Sequence, residues 1–189
     1  MTDVFEILGG DHAVIKRMLD ALERSPDNTT GATAAVVSAR KAVAEQLIIN
    51  CSGHEAAEEQ HFWPAVRQRL PDGNDLADQG IEQERVAKQM LNELGKLAGP
   101  QHEFDAVVDT LIPACRAHIE FEETRVWPGL RKVLSPDELQ ELGKKITKAK
   151  SRGPTRPHPR TPPTPAVLAT VGPAVAVIDK LRDAVVGRR

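Results

Sequence analysis

Tyrosine is absent from this chain, and aromatic residues of all kinds make up only 3% of its 189 positions. Whatever chemistry it performs therefore runs without a tyrosine ligand or a tyrosyl radical. No apolar run approaches the ~20 residues that a membrane-spanning helix needs. The opening Met1-Thr-Asp-Val-Phe-Glu lacks the basic start and apolar core of an export signal. Cysteine occurs twice, and two thiols without an export signal place the expectation in a reducing cytoplasm. What remains is ordinary soluble-globule material, 40% hydrophobic and 28% charged.

The net charge of -2 hides an uneven distribution. From Ser151 onward seven Lys/Arg stand against two Asp/Glu, which leaves about -7 for residues 1–150. A basic tail on an acidic body argues for the tail folding back on that body. It argues only weakly for nucleic acid, since no aromatic or helix-turn-helix signal accompanies it.

Periodicity predicts an all-α chain of five helical segments and no strand. They run from about Asp3 to Arg24, from after Thr30 to about Arg69, from about Asp75 to Leu97 and from about Glu103 to Val133. The fifth opens at Ser135-Pro136-Asp137-Glu138, a capping box with proline in the first helical position. Pro64, Pro113 and Pro128 fall inside long helices and are expected to kink them. Residues 1–150 thus form an up-down-up-down four-helix bundle with a fifth helix. Residues 151–189 form a basic tail: 151–165 hold six prolines, an extended linker, and Ala166 to Arg189 resume as a short amphipathic helix that docks on the body.

Two internal repeats carry the chemistry. Residues Cys51–Leu70 align with Cys115–Leu134 at an offset of 64, and eight of the twenty positions are identical. Each copy carries His-x-x-x-Glu, His54 with Glu58 and His118 with Glu122. On a helix, residues four apart share a face about 6 Å apart, so each pair can close on one cation. The first and third helices align at an offset of 72, which sets His12 over Glu84 and Lys16 over Lys88. His12 interrupts the apolar stripe Phe5, Leu8, Ile15, Leu19, Leu22, and Glu84 interrupts the matching stripe of the third helix.

A single histidine on an apolar stripe is usually a satisfied core histidine. A single buried, unpaired carboxylate costs several kcal/mol. Six such groups at corresponding positions would be ruinous in a dry core unless cations neutralise them. In this topology consecutive helices are neighbours and the repeat becomes an approximate two-fold axis through the site. The expected metal ligands are His12, His54, Glu58, Glu84, His118 and Glu122, three imidazoles and three carboxylates. That mixture suits iron best and manganese second; zinc does not require six ligands and calcium does not use imidazole.

With these residues in view, the chain resembles the hemerythrin-like (HHE cation-binding) family. Asp11-His12 and the two segments His54-x-x-x-Glu58-Glu59-x-x-x-Trp63-Pro64 and His118-x-x-x-Glu122-Glu123-x-x-x-Trp127-Pro128 carry the resemblance, which covers residues 1 to about 150. The proline-rich tail resembles that of actinobacterial members. The resemblance implies a non-haem di-iron centre with oxo or hydroxo and carboxylate bridges. Members carry or sense dioxygen, react with hydrogen peroxide or nitric oxide, or handle iron. The expected partners are therefore small molecules, with no nucleic acid and no membrane.

One departure bears on function. The family usually offers one or two histidines from the third helix, whereas here Glu84 and Lys88 occupy those positions. A carboxylate is a harder, anionic donor that favours ferric iron, which turns the expectation from reversible oxygen carriage toward redox chemistry with peroxide or dioxygen. The competing expectation is an oxygen or iron sensor whose output passes to the tail.

Other residues receive expectations of their own. His61 and Arg125 sit one helical step beyond the ligands, placed either to hydrogen-bond peroxide or to lie solvated at the bundle mouth. Cys51 and Cys115, one turn to the other side, read as buried fillers; on diagonal helices they would lie beyond the ~7 Å Cα limit of a disulfide. Trp63 and Trp127 fall opposite the ligands on straight helices, as a surface for the fifth helix or tail. Glu59 and Glu123 lie about 100° around the helix from the ligand carboxylates and are left out of the metal shell. His102 and His158 are too distant in the chain to join it.

Overall fold

A computed structural model describes residues 2–158 together with 177 and 179. Helix α1 (Val4–Arg24) is opened by a capping box in which Asp3 and Glu6 bond each other's backbone N–H. Helix α2 (Ala34–Ala57) runs without interruption into a π turn, Glu58–Phe62, and then α3 (Trp63–Arg69). Helix α4 is Gly73–Leu94. Helix α5 (His102–Phe121) repeats the pattern through a second π turn, Glu122–Val126, into α6 (Trp127–Val133). Helix α7 (Pro136–Arg152) begins with the anticipated capping box between Ser135 and Glu138. Among the described residues there is no strand, and none of their helices is long and apolar enough to cross a membrane.

The four long rods are α1, α2–α3, α4 and α5–α6. Consecutive rods pack side by side, α1 on α2, α3 on α4 and α4 on α5, and α1 also closes against α5. The α7 helix lies across α1, α2 and the first π turn. Gly143 allows that approach, because a Cβ there would press on Ile7 and on the backbone at Asp3 and Val4.

The core divides into two apolar layers. One gathers Val4, Phe5, Leu8, Phe62, Trp63, Val66, Leu130 and Ile146. The other gathers Ile15, Leu19, Leu47, Cys51, Leu91, Leu111 and Cys115. His12 lies in sequence between Leu8 of the first layer and Ile15 of the second, so the polar ligand candidates occupy a slab between two dry regions. The far end of the bundle is tied by Arg40, which donates to Asp105 Oδ1 at 2.9 Å and to Ser25, while Asn28 donates its backbone N–H to Asp105 Oδ2 at 3.0 Å.

The prolines fall at two kinds of place. Pro64 and Pro128 occupy the first turns of α3 and α6, where a missing N–H is tolerated. The irregularity they demand is taken up by the π turns just before them. Pro113 stays inside α5, which continues through it. Beyond α7 the chain crosses α2 where Gly53 brings the Pro154 carbonyl close. The expected terminal helix lies outside the described residues except for Val177 and Asp179, both helical. Asp179 is buried and accepts the backbone N–H of Arg156 at 3.2 Å.

Candidate metal centre

Four of the six candidate ligands come from the repeated rods. Glu58 and Glu122 each sit at the first position of a π turn, directly after the α-helical segment that carries His54 or His118. Within those rods His54 Nε2 approaches Glu58 Oε2 at 3.0 Å and His118 Nε2 approaches Glu122 Oε1 at 3.4 Å. From α1, His12 Nε2 reaches Glu122 Oε2 at 3.1 Å. Glu84 enters from α4. The result is two four-membered groups, His12/His54/Glu58/Glu122 and Glu58/Glu84/His118/Glu122, whose donor atoms lie within 4.8 Å of one another. Glu58 and Glu122 belong to both groups.

All six side chains are buried, and Glu58, Glu84 and Glu122 are 0% exposed. The Nε2 atoms of the three histidines, both oxygens of Glu58 and of Glu122 and Oε2 of Glu84 have no hydrogen-bond partner. Buried polar atoms are nearly always satisfied. A convergence of imidazole nitrogens and carboxylate oxygens with no hydrogen-bond partner is the environment that a multivalent cation completes. The residues therefore fit metal binding on their own chemistry, and either group could hold a cation.

The electrostatics agree. Burial, with Glu122 close by, pushes Glu58 up to about 7. Burial does the same to Glu122, also to about 7, and raises Glu84 well above the carboxylate range although Lys88 opposes it. Burial and repulsion from the neighbouring imidazoles lower His12 to about 4 and His118 to about 3. For His54, burial is outweighed by Glu58 and Asp11, and its pKa rises. His54 apart, the cluster without cations resists carrying its charges, and for the carboxylates cations reverse that preference.

An outer ring orients the inner one. The Nδ1 of His12 pairs with Glu123 at 2.9 Å, that of His54 with Asp11 at 3.1 Å and that of His118 with Gln83 at 3.0 Å. Holding Nδ1 from outside turns each Nε2 inward. Glu123 is held in turn by Lys16 at 2.8 Å, and Glu59 by Lys88.

The model of the hemerythrin HHE cation binding domain matches residues 3–130. The chain belongs to that family. It is 29% identical over 139 residues, 73% of this chain and 68% of the relative, to an uncharacterized hemerythrin-like protein of Schizosaccharomyces pombe. The crystal structure of a hemerythrin HHE cation binding domain-containing protein from Mycobacterium kansasii superposes with a TM-score of 0.64 at 22% identity. That match covers 80% of this chain and 86% of the other and supports the shared fold.

In this hemerythrin HHE domain the tryptophans depart from the helical-wheel expectation. Trp63 is fully buried and donates its indole N–H to Glu84 Oε1. Trp127 stacks on His12 with ring centroids 5.0 Å apart and planes 13° from parallel. The π turn explains both. The N–H of Trp63 bonds to the carbonyl of Glu58 and that of Trp127 to Glu122, five residues back, so the side chain five positions on returns to the ligand face. Glu59 and Glu123, left out of the ligand set, instead serve the outer ring.

His61 and Arg125 are not drawn into the ligand cluster. His61 is half-buried and its pKa is lowered by burial and by Lys145 of α7, whereas Arg125 is exposed. The fifth helix covers the first π turn and makes these two repeat mates unlike. His102 is exposed and His158 pairs with Asp179 at 3.0 Å. Cys51 and Cys115 are both free and buried, in keeping with their reading as core fillers.

The repeat extends through the outer ring. The 72-residue offset that places His12 over Glu84 also places Asp11 over Gln83 and Lys16 over Lys88. Each member of these pairs plays its mate's part on the opposite side. That signal was present in the alignment of the helices before any fold was known.

Proposed function

We propose that this domain holds two iron ions through His12, His54, Glu58, Glu84, His118 and Glu122, and that it binds and reacts with hydrogen peroxide or dioxygen in oxidative-stress chemistry, in the manner of a catalase. The observation that carries this reading is the sharing of Glu58 and Glu122 between two four-donor groups. Carboxylates common to both groups would let two bound cations act together on one substrate. Three imidazoles with three carboxylates are a donor set for iron, with manganese second.

When bound, iron supplies the electrophile and the electrons. The chain's own residues arrange the rest. Asp11, Glu123 and Gln83 hold the three imidazoles in the tautomer that presents Nε2 inward. The two apolar layers exclude bulk water from the slab. Glu84 in place of a third-helix histidine, with Lys88 Nζ 3.7 Å from its Oε2, gives the second group one imidazole against the first group's two. That asymmetry favours ferric iron in the second group and turns the centre away from reversible oxygen carriage.

Metal analysis with an optical spectrum of the purified protein, followed by anaerobic stopped-flow mixing with peroxide, tests the reading. Oxygen evolution or a spectral change is expected; neither appearing would end the catalytic reading. Glu84→His is expected to move the loaded protein toward reversible oxygen binding, and unchanged spectra would remove Glu84 from the ligand set.

A sensing role has one specific observation behind it. Lys150 of α7 pairs with Asp11, which holds His54, so the fifth helix and the tail beyond it are two contacts from a candidate ligand. On this reading iron changes the protection of the tail in limited proteolysis.

A further inference from the structure

The three candidate carboxylates do not offer their oxygens alike. Both oxygens of Glu58 and both of Glu122 are buried without a hydrogen-bond partner, whereas Glu84 leaves only Oε2 in that state. Its Oε1 accepts the indole N–H of Trp63. Lys88 Nζ stands 3.7 Å from Oε2 and is itself held by Glu59. One oxygen of Glu84 is thus engaged from outside the cluster and one is turned toward it.

The indole that engages Oε1 has little freedom to follow a moving carboxylate. Trp63 is 0% exposed, and its backbone N–H bonds to the carbonyl of Glu58. Phe62 meets its ring edge-on with centroids 5.1 Å apart, and α4 passes so close that only glycine fits at position 80. The repeat supplies the contrast. Trp127 stacks on His12, the residue that the 72-residue offset sets over Glu84, and its buried indole N–H has no hydrogen-bond partner. The indole bond exists on the side where a carboxylate stands in the place of histidine.

We propose that Trp63 is a positioning residue that withholds Oε1, so that Glu84 gives the cation of the Glu58/Glu84/His118/Glu122 group a single oxygen and leaves a coordination position open to a small anion. The proposal rests on the two-iron reading above and deepens it by placing the anion on the Glu84 side. Carboxylates bind cations through one oxygen or through two, and a bond from a neutral N–H to an anionic oxygen is strong enough to decide between the modes. Without the indole, Oε1 would be a buried acceptor with no donor, and turning it to the cation would relieve that cost. The position left open suits an anion of peroxide's size, because apolar layers close the slab above and below.

The test reads the bond and the open position separately. In metal-free protein labelled with nitrogen-15 at its two tryptophans, Glu84→Ala is expected to move the Trp63 indole proton upfield. Trp63→Phe assigns that signal, and Trp127→Phe assigns it by elimination should Trp63→Phe not fold. An unmoved Trp63 indole overturns the proposal whatever the metal does. In iron-loaded protein, fluoride serves as the probe anion and calorimetry reads its affinity. Trp63→Phe is expected to keep two irons per chain and to bind fluoride about 10-fold or more weakly, the factor that one hydrogen bond to a charged group is worth. Equal fluoride affinity with both irons kept, or no fluoride uptake by the iron-loaded parent, overturns the proposal and leaves the functional reading standing. Loss of one iron from Trp63→Phe also overturns it, since the indole would then be needed to hold the cation at all. A parent that takes up no iron overturns both.

Discussion

Glu58 is the residue on which the candidate centre turns, because it belongs to both four-donor groups while Glu84 belongs to one. Substitutions at the two positions should therefore differ in stoichiometry. Glu58→Gln is expected to lose both cations and Glu84→Gln one, read as metal per chain by plasma mass spectrometry. Equal losses would mean that the carboxylates are not shared as the geometry places them. The same Glu58→Gln change should stabilise the metal-free protein, since it removes a charge that burial has already displaced from 4.5 to about 7. A displacement of that size corresponds to a gain on the order of 1–3 kcal/mol above neutral pH, measurable by denaturant unfolding. A residue that helps the loaded protein and harms the empty one is what a ligand should be.

Asp11 acts through His54, and its substitution by Asn keeps the shape while removing the anionic partner of Nδ1. Metal affinity is expected to fall by roughly 10- to 100-fold, read by competition with a chelator. Unchanged affinity would mean that Asp11 serves Lys150 and the docking of α7 and does nothing for the ligand. Gln83, its repeat mate at His118, is neutral. The two imidazoles are thus held by partners of unequal charge, and the asymmetry set by His12 and Glu84 continues outward.

At the level of single elements the π turns do the positioning. A helix of uniform pitch would send Trp63 and Trp127 to the side away from His54 and His118. One i+5 turn in each rod brings them back, Trp63 as donor to Glu84 and Trp127 as a stacked plate on His12. Helix α4 accommodates the first of these by offering glycine at position 80, where a Cβ would fall well inside van der Waals distance of the Trp63 ring. Gly80→Ala should therefore cost about 1–3 kcal/mol through overpacking and should shift tryptophan fluorescence. Metal analysis of the variant should show selective loss from the group containing Glu84. A variant as stable as its parent and fully loaded would show that the indole is free to move without consequence.

Across the whole molecule, the slab between two apolar layers makes stability depend on pH in a way that cations abolish. Glu58 and Glu122 at about 7 and Glu55, raised by burial to about 8, all lie above the ordinary 4.5. Their contribution to the metal-free fold is complete below pH 4.5 and is lost as pH rises through 7 to 8. The raised His54 adds loss in the same direction. His12 and His118, lowered from 6.5 to about 4 and about 3, contribute above pH 6.5 and lose that contribution as pH falls through those values. Three carboxylates outweigh two histidines above pH 4.5, so the metal-free protein should melt highest near pH ~5 and lose stability toward pH ~9, while the metal-loaded protein should keep it. Thermal melts at both values, with and without chelator, check this. A parallel alkaline decline in the two samples would place its origin elsewhere.

The five helices, the capping box at Ser135, the ligand candidates and their pairing by repeat could all be read along the chain. Each depends on spacing within one helix or on identity between two copies, and neither requires knowledge of what lies opposite. The tryptophans could not be placed that way. A π turn is a single added residue per turn that leaves no mark in hydrophobic periodicity, so everything after it is read on the wrong face. The outer ring lies between: its members were aligned by the repeat, but that Asp11 would hold His54 and Gln83 would hold His118 follows from the packing of α1 on α2 and of α4 on α5. Local spacing chose the donors, and packing at distance chose what faces them.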